Sequence, residues 1–161
     1  MSAQLVWIML CCLAGLGLAS VRRIPEGKVY SLRRLGGQTR IVGAGTHFLV
    51  PLIERVVHEI SLTGSALAFD GTDAAGEGYR GALYFQVLDP ERADRIIETV
   101  DTLLRECAAN RLAGAGVPAD AAQRRDWLKR ALNEDVRERG LLVTRVELQH
   151  VEPAVTPKGY V

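Results

Sequence analysis

The sequence lacks the features that mark several common protein classes. Positive and negative side chains nearly cancel, 20 Lys and Arg against 19 Asp and Glu, whereas a nucleic-acid-binding domain is usually strongly basic. Cysteine is scarce and scattered, at Cys11, Cys12 and Cys107, so it does not form a disulfide framework. We therefore predict no nucleic-acid partner and a fold that needs no disulfide.

Residues that could carry chemistry are few and poorly spaced. The three histidines lack the spacing of metal ligands and are predicted to be structural or surface residues: His47, His58 and His150. Three acidic residues depart from the EF-hand pattern, which favours a solvated loop: Asp70, Asp73 and Glu77. Cys107 lies on an apolar helical stripe, and Gly43-Ala44-Gly45 is too short to cradle a phosphate and is predicted to be a turn. We predict no catalytic residue, no cofactor-binding residue, no cofactor and no metal ligand, and thus no enzyme.

Charge is also absent from the first 21 residues, and apolar residues or glycine fill every position from Leu5 to Ala19. A helix over residues 2–21 would be about 30 Å long, which matches the hydrocarbon core of a bilayer. The pattern predicts an N-terminal transmembrane anchor over residues 1–21. Two alternatives stay open: a signal peptide cleaved near Ala19-Ser20, which would lack a basic n-region, and a buried core helix.

Basic residues follow this segment and none precedes it: Arg22, Arg23, Lys28, Arg33, Arg34 and Arg40. The positive-inside rule then predicts a single-pass protein of the cell membrane with its C-terminal domain in the cytoplasm.

The remaining chain predicts an α+β domain. Strands are expected at residues 28–35, 55–62, 79–88 and 141–151, and a polar, glycine-rich loop is expected at residues 70–78. The apolar run Thr46–Ile53 contains Pro51, so it is either an edge strand or a loop. Its apolar residues either join the core or lie in a membrane interface with help from the nearby arginines.

Two helices are predicted between the last two strands. Asp89 and Pro90 suit the start of the first helix, whose apolar stripe ends at Cys107. Asp120 suits the start of the second helix, and Gly140 lies where it should stop. Trp127 is off the main stripe of this helix, and it either packs on the sheet edge or joins a subunit contact.

Four segments in order resemble the SPFH (Band 7, or stomatin/prohibitin/flotillin-like) family. They are Ile24-Pro25-Glu26-Gly27-Lys28-Val29 with Arg34-Leu35-Gly36, then Gly45-Thr46-His47-Phe48-Leu49-Val50-Pro51-Leu52, then Tyr84-Phe85-Gln86-Val87-Leu88-Asp89-Pro90-Glu91-Arg92-Ala93, and finally Gly140-Leu141-Leu142-Val143 with Val146-Glu147-Leu148. Ala44 departs from the family's proline, and the segment between Ile60 and Tyr79 is shorter than the family's.

The resemblance implies an SPFH-type domain over residues 22–153, with a mostly antiparallel sheet packed with two helices, and a tail over residues 154–161. The chain would be a short member without the family's C-terminal coiled coil. Such a protein is expected to be a non-enzymatic, membrane-anchored scaffold that self-associates and organises membrane microdomains. Its expected partners are membrane lipid, further copies of itself, and a membrane protease or channel. The alternative is a secreted or periplasmic binding domain released by signal-peptide cleavage.

Overall fold

The computed structural model describes residues 2–50 and 53–151, without the side chains of residues 2, 3, 12–14 and 16–19. The architecture is α+β with antiparallel sheets, and it divides into two compact units, Met1–Leu62 and Thr63–Val161. The predicted tail over residues 154–161 lies outside the described residues.

The described residues of the first unit form one helix and five short strands. They are α1 (Ser2–Ala19), β1 (Val21–Ile24), β2 (Lys28–Arg34), β3 (Thr39–Val42), β4 (Gly45–Phe48) and β5 (Glu54–Ser61). Strand β1 pairs with β4, and a second antiparallel sheet has the order β3–β2–β5. The apolar side chains that alternate along these strands form a small core of Ile24, Leu32, Val42 and Leu49, with Tyr30 and Val56 packed against it.

The predicted N-terminal transmembrane helix is wrong. In the described part of the chain, no helix combines the length and the apolarity needed to cross a bilayer. Helix α1 ends at Ala19, because Val21 already pairs with strand β4 as the first residue of β1. The predictions of a single-pass location in the cell membrane and of a cytoplasmic C-terminal domain depended on this helix, so they are wrong as well.

The second unit is a three-stranded antiparallel sheet covered by helices. Its elements are β6 (Ser65–Thr72), β7 (Gly78–Val87), α2 (Pro90–Ala93), α3 (Val100–Ala113), α4 (Ala121–Val136) and β8 (Leu141–Val151). The strand order is β6–β7–β8, with α3 packed against β6, α4 against β8, and the two helices against each other. Fully buried side chains from the sheet and from the two helices form the core: Phe69, Leu83, Leu104, Leu112, Leu128, Leu132, Val136, Leu141 and Val143.

The predicted helix starts are confirmed, but the first predicted helix is broken. Asp89 accepts the N–H groups of Glu91 and Arg92, and Asp120 accepts those of the second and third residues after it. The chain after Asp89 forms the short helix α2, then a 3₁₀ turn at Ile97–Thr99, and only then α3. In α4 the apolar residues at helical spacing are buried, namely Leu128, Ala131, Leu132 and Val136, whereas Ala121 is exposed. Gly140 follows a closing 3₁₀ turn.

An ion pair ties α3 to α4 in this unit. The Arg111 guanidinium donates from Nε to Oδ2 of Asp135 at 2.9 Å, and its Nη2 donates to the other carboxylate oxygen. This bond lowers the pKa of Asp135 from its ordinary value near 3.8. Both side chains are partly exposed, so solvent screens the pair and limits its contribution to about 1 kcal/mol.

Replacing Asp135 with asparagine is therefore expected to lower the melting temperature of the second unit at pH 7 by about 4–8 °C. A depressed carboxyl pKa stabilises the fold above the unfolded pKa, and this stabilisation is lost as the pH falls through the folded pKa. The difference between wild type and Asp135→Asn should thus shrink below about pH 4. Thermal unfolding followed by circular dichroism from pH 7 to pH 2 measures this difference in melting temperature. A difference that persists undiminished at pH 2 would contradict the ion-pair explanation.

Candidate functional site

A cleft of about 800 Å³ lies at the end of the β2–β5 strand pair in the first unit. Three arginines, one glutamate, several aliphatic side chains and a glycine line it: Arg33, Arg34, Leu35, Gly37, Ile53, Glu54, Arg55, Val56 and Val57. We call it the basic groove. Its volume is within the range of small-ligand and side-chain pockets, and its walls combine positive charge with apolar surface.

Arg33 and Arg55 are direct cross-strand partners in this groove. The β2–β5 register places Arg33 opposite Arg55, so both side chains project from the same face of the sheet. Both are exposed, and no carboxylate among the described residues pairs with either of them. Like charges directly opposite each other on a sheet destabilise it, so the free protein maintains this arrangement against electrostatic repulsion.

Arg34 is neutralised, unlike its neighbours in the groove. Its Nε donates to Glu54 Oε1 at 2.8 Å, and the Glu54 side chain is only 6% exposed. Glu54 is the cross-strand partner of Arg34, so strand alternation places this pair on the other face of the ladder from Arg33 and Arg55. The pair borders the groove only at the end of the two strands. The groove therefore keeps two positive charges without a partner among the described residues.

The apolar walls of the groove come from residues that flank these charges. Leu35 is 81% exposed, Ile53 is 49% exposed and Val57 is 40% exposed. The Leu35 N–H donates to the Ile53 carbonyl at 3.0 Å, which holds the two walls together beyond the end of the strand pair. Val57 is the extra residue where the β2–β5 register shifts between Ser31 and Leu32, and such a bulge re-aims side chains at a sheet edge.

The apolar run expected at Thr46–Ile53 divides between core and surface. Leu49 is buried in the core of the first unit, whereas Phe48 is 67% exposed and Ile53 lines the groove. Residues 51 and 52, with the proline on which the prediction of an edge strand or loop depended, lie outside the described residues.

The second unit brings together a polar cluster around Tyr79. The buried Tyr79 hydroxyl donates to Glu77 Oε2 at 3.0 Å, with Asp73 Oδ2 at 3.3 Å. His150 Nε2 lies 3.5 Å from Glu77 Oε2 and its ring meets the Tyr79 ring edge-on, while the Arg124 guanidinium lies 4.7 Å from the centre of that ring. The cluster ties the β6–β7 hairpin to the end of β8.

The polar atoms of this cluster are mostly used within the cluster itself. Asp73 accepts the N–H groups of Glu77 and Ala75, each at 2.9 Å, and the bond from Glu77 is the main cause of its lowered pKa. Burial raises the pKa of Tyr79. These hydrogen bonds fix the turn between β6 and β7 and hold the Tyr79 hydroxyl against it.

The remaining residues that the sequence singled out lie apart from one another. His47 Nε2 lies 3.0 Å from the Gly43 carbonyl, so the histidine closes the Gly43–Gly45 turn. Asp70 pairs with the Arg80 side chain at 2.9 Å on the surface of the β6–β7 ladder.

Two further residues that the sequence analysis considered, Cys107 and Trp127, lie on helices. Cys107 is partly buried on α3, and burial raises the pKa of its thiol, which makes it a poor nucleophile. Trp127 lies in a shallow surface hollow of about 200 Å³ beside Arg111 and Arg130. Over residues 2–50 and 53–151, no group of three or more His, Cys, Asp or Glu side chains is arranged to hold a metal ion.

Sequence reasoning identified Arg33 as a basic residue near the anchor but gave no role to Arg55. The signal that could have found it is the strand register, because only the pairing of β2 with β5 brings the two arginines together.

Comparison with known proteins yields relatives but no family. No family model matches the chain. An uncharacterized protein of Schizosaccharomyces pombe is 30% identical over 96 residues, and the match covers 55% of this chain and 26% of that protein. Uncharacterized proteins of Mycobacterium bovis and Mycobacterium tuberculosis are each 28% identical over 146 residues, 83% of this chain and 38% of theirs. The chain thus spans 26% to 38% of the length of these relatives, and their similarity brings no known activity with it.

Proposed function

We propose that the chain is a non-enzymatic scaffold module of the SPFH (Band 7) type that acts by self-association and by holding a partner protein. The order of four family-like segments along the chain supports this proposal. The polar cluster around Tyr79 supports it as well, because its hydrogen bonds stabilise a turn and connect neighbouring strands. The structure supplies an α+β framework for such a module.

The observation that carries the proposal is the apolar surface of helix α1. Six consecutive residues from Leu5 to Leu10 are apolar, and each is between 59% and 68% exposed. At 100° per residue these six cover every side of the helix, so the chain's own strands leave most of this surface uncovered. A continuous apolar surface of this kind marks an interaction site, and further copies of the same helix would bury it. Because all sides of the helix are apolar, burying this surface requires more than one neighbouring helix.

Replacing Ile8 with glutamate is expected to weaken self-association by about tenfold or more, because the carboxylate would be buried without a partner. The measurement is the mass of the full chain by light scattering after size exclusion, across a range of protein concentrations. Wild type should show a concentration-dependent mass above that of one chain, and Ile8→Glu should shift towards a single chain.

Gln4→Glu is the matched control, because it adds the same charge to the same helix at an exposed position outside the apolar run. It should associate like wild type. Wild type that stays at the mass of one chain at every concentration would refute self-association, and equal effects of both variants would refute the role of the α1 surface.

A further inference from the structure

The basic groove of the first unit offers a binding site distinct from the apolar surface of α1. Its two unneutralised charges, Arg33 and Arg55, project from one face of the β2–β5 ladder as direct cross-strand partners. The Cβ atoms of such partners are about 5 Å apart, so two long side chains can converge on one anionic group. A carboxylate between them would accept charge-assisted hydrogen bonds from both and remove the like-charge repulsion.

The apolar walls decide what kind of anion fits. Leu35, Ile53 and Val57 expose much of their aliphatic surface beside the two arginines. A bare phosphate or carboxylate ion would leave these walls in water and would occupy a small part of a cleft of about 800 Å³. A peptide segment with an acidic side chain between apolar side chains would satisfy the charges and cover the walls together.

We propose that the basic groove binds an acidic-apolar segment of a partner protein, with one carboxylate held between Arg33 and Arg55. This inference names the partner of the scaffold and therefore rests on the proposed function for its meaning. The binding itself depends on β2 and β5 and not on α1.

Binding can be measured with a fluorescently labelled peptide of alternating leucine and aspartate, by anisotropy titration of the full chain at constant ionic strength. The variants Arg33→Glu and Arg55→Glu should each weaken binding by about tenfold or more, because each removes a charge-assisted bond and adds repulsion. The same peptide with asparagine in place of aspartate should bind weakly to wild type.

Arg40→Glu is the matched control for charge. Arg40 is exposed on β3 of the same sheet, but it is paired with Leu32 and so projects from the opposite face. This variant changes the net charge equally and should bind the aspartate peptide within about twofold of wild type.

Arg55→Gln separates binding from folding. It should weaken peptide binding while leaving the melting temperature unchanged or raised, because it removes the repulsion between opposed like charges. Absent binding to wild type, equal losses in all three glutamate variants, equal binding of the asparagine peptide, or full competition by inorganic phosphate would each overturn the proposal. Light scattering on the same samples reports self-association separately, so the two proposals can fail independently.

Discussion

Replacing Gly81 with alanine is expected to lower the free energy of unfolding of the second unit by about 3 kcal/mol. Gly81 lies in β7, the central strand, where β6 and β8 approach from both sides. A Cβ atom at this position would lie 2.3 Å from the Glu147 carbonyl oxygen and 2.6 Å from the Phe69 ring. The carbonyl belongs to the paired backbone of β8 and cannot rotate away, so the strands would have to separate.

Phe69 explains why glycine is tolerated here. It is the cross-strand partner of Gly81, only 2% exposed, and its ring occupies the space where a side chain at residue 81 would project. Such a ring covers the glycine and recovers apolar contact that a strand glycine otherwise loses. The double variant Gly81→Ala with Phe69→Leu should therefore recover only part of the loss, because the contact with the Glu147 carbonyl remains.

Gly78→Ala is the matched control on the same strand. Its Cβ would meet nothing closer than the Val151 carbonyl oxygen at 3.5 Å, an ordinary contact, so its effect should stay within about 0.5 kcal/mol. Chemical denaturation followed by circular dichroism measures both variants, and 3 kcal/mol corresponds to a fall in melting temperature of about 12 °C or more. Losses of similar size in the two variants would show that Gly81 is not sterically required.

The elements predicted from sequence were those with complete local signals. Helix α4 has a capping aspartate, a buried apolar stripe and a glycine after its end, all within 21 consecutive residues. Strand β7 alternates buried and less buried residues, and β8 matches its predicted bounds, Leu141–Val151. Because these signals lie within one element, the sequence shows them without knowledge of the tertiary fold.

Elements that depend on pairing were missed. Strand β6 ends in Asp70-Gly71-Thr72, a polar sequence that predicted a loop, yet its residues pair with β7 as far as Thr72. Gly71 is suited to this place because α3 crosses it closely: a Cβ there would lie 3.1 Å from the Leu112 side chain. The polar loop is accordingly limited to the residues between β6 and β7. Tertiary contact overrides local propensity here.

The candidate site and the end of α1 could not be predicted for the same reason. Arg33 and Arg55 are 22 positions apart, and only the register of β2 with β5, including its bulge, makes them partners. The apolar pattern near residue 20 was compatible with a longer helix. The pairing of β1 with β4 instead ends it, with the Leu49 N–H donating to the Ser20 carbonyl at 2.7 Å. Composition predicts that a segment is apolar, but partners far along the chain decide where it stops.

Replacing Gly140 with alanine is expected to cost about 3 kcal/mol, because two penalties combine. Gly140 has φ +80°, a left-handed conformation that costs a residue with a Cβ about 1–2 kcal/mol. The new Cβ would also lie 2.4 Å from the Asp89 carbonyl oxygen. Asp89 cannot yield freely, since it caps α2 and its own N–H donates to the Gly140 carbonyl at 3.1 Å.

Gly116→Ala separates the two penalties within the same unit. Gly116 has φ +87°, but a Cβ there would meet no atom within 4 Å, so only the backbone strain of about 1–2 kcal/mol applies. The excess loss in Gly140→Ala, measured by chemical denaturation, then reports the steric contact with Asp89. Hydrogen exchange should locate this contact, with faster exchange of the Leu88 and Asp89 amides in Gly140→Ala and unchanged rates in Gly116→Ala. The outcome that would contradict this explanation is an equal loss of stability in both variants with the Leu88 and Asp89 amides still protected. In that case left-handed strain alone would account for the glycine, and the close contact between Gly140 and Asp89 would not contribute to stability.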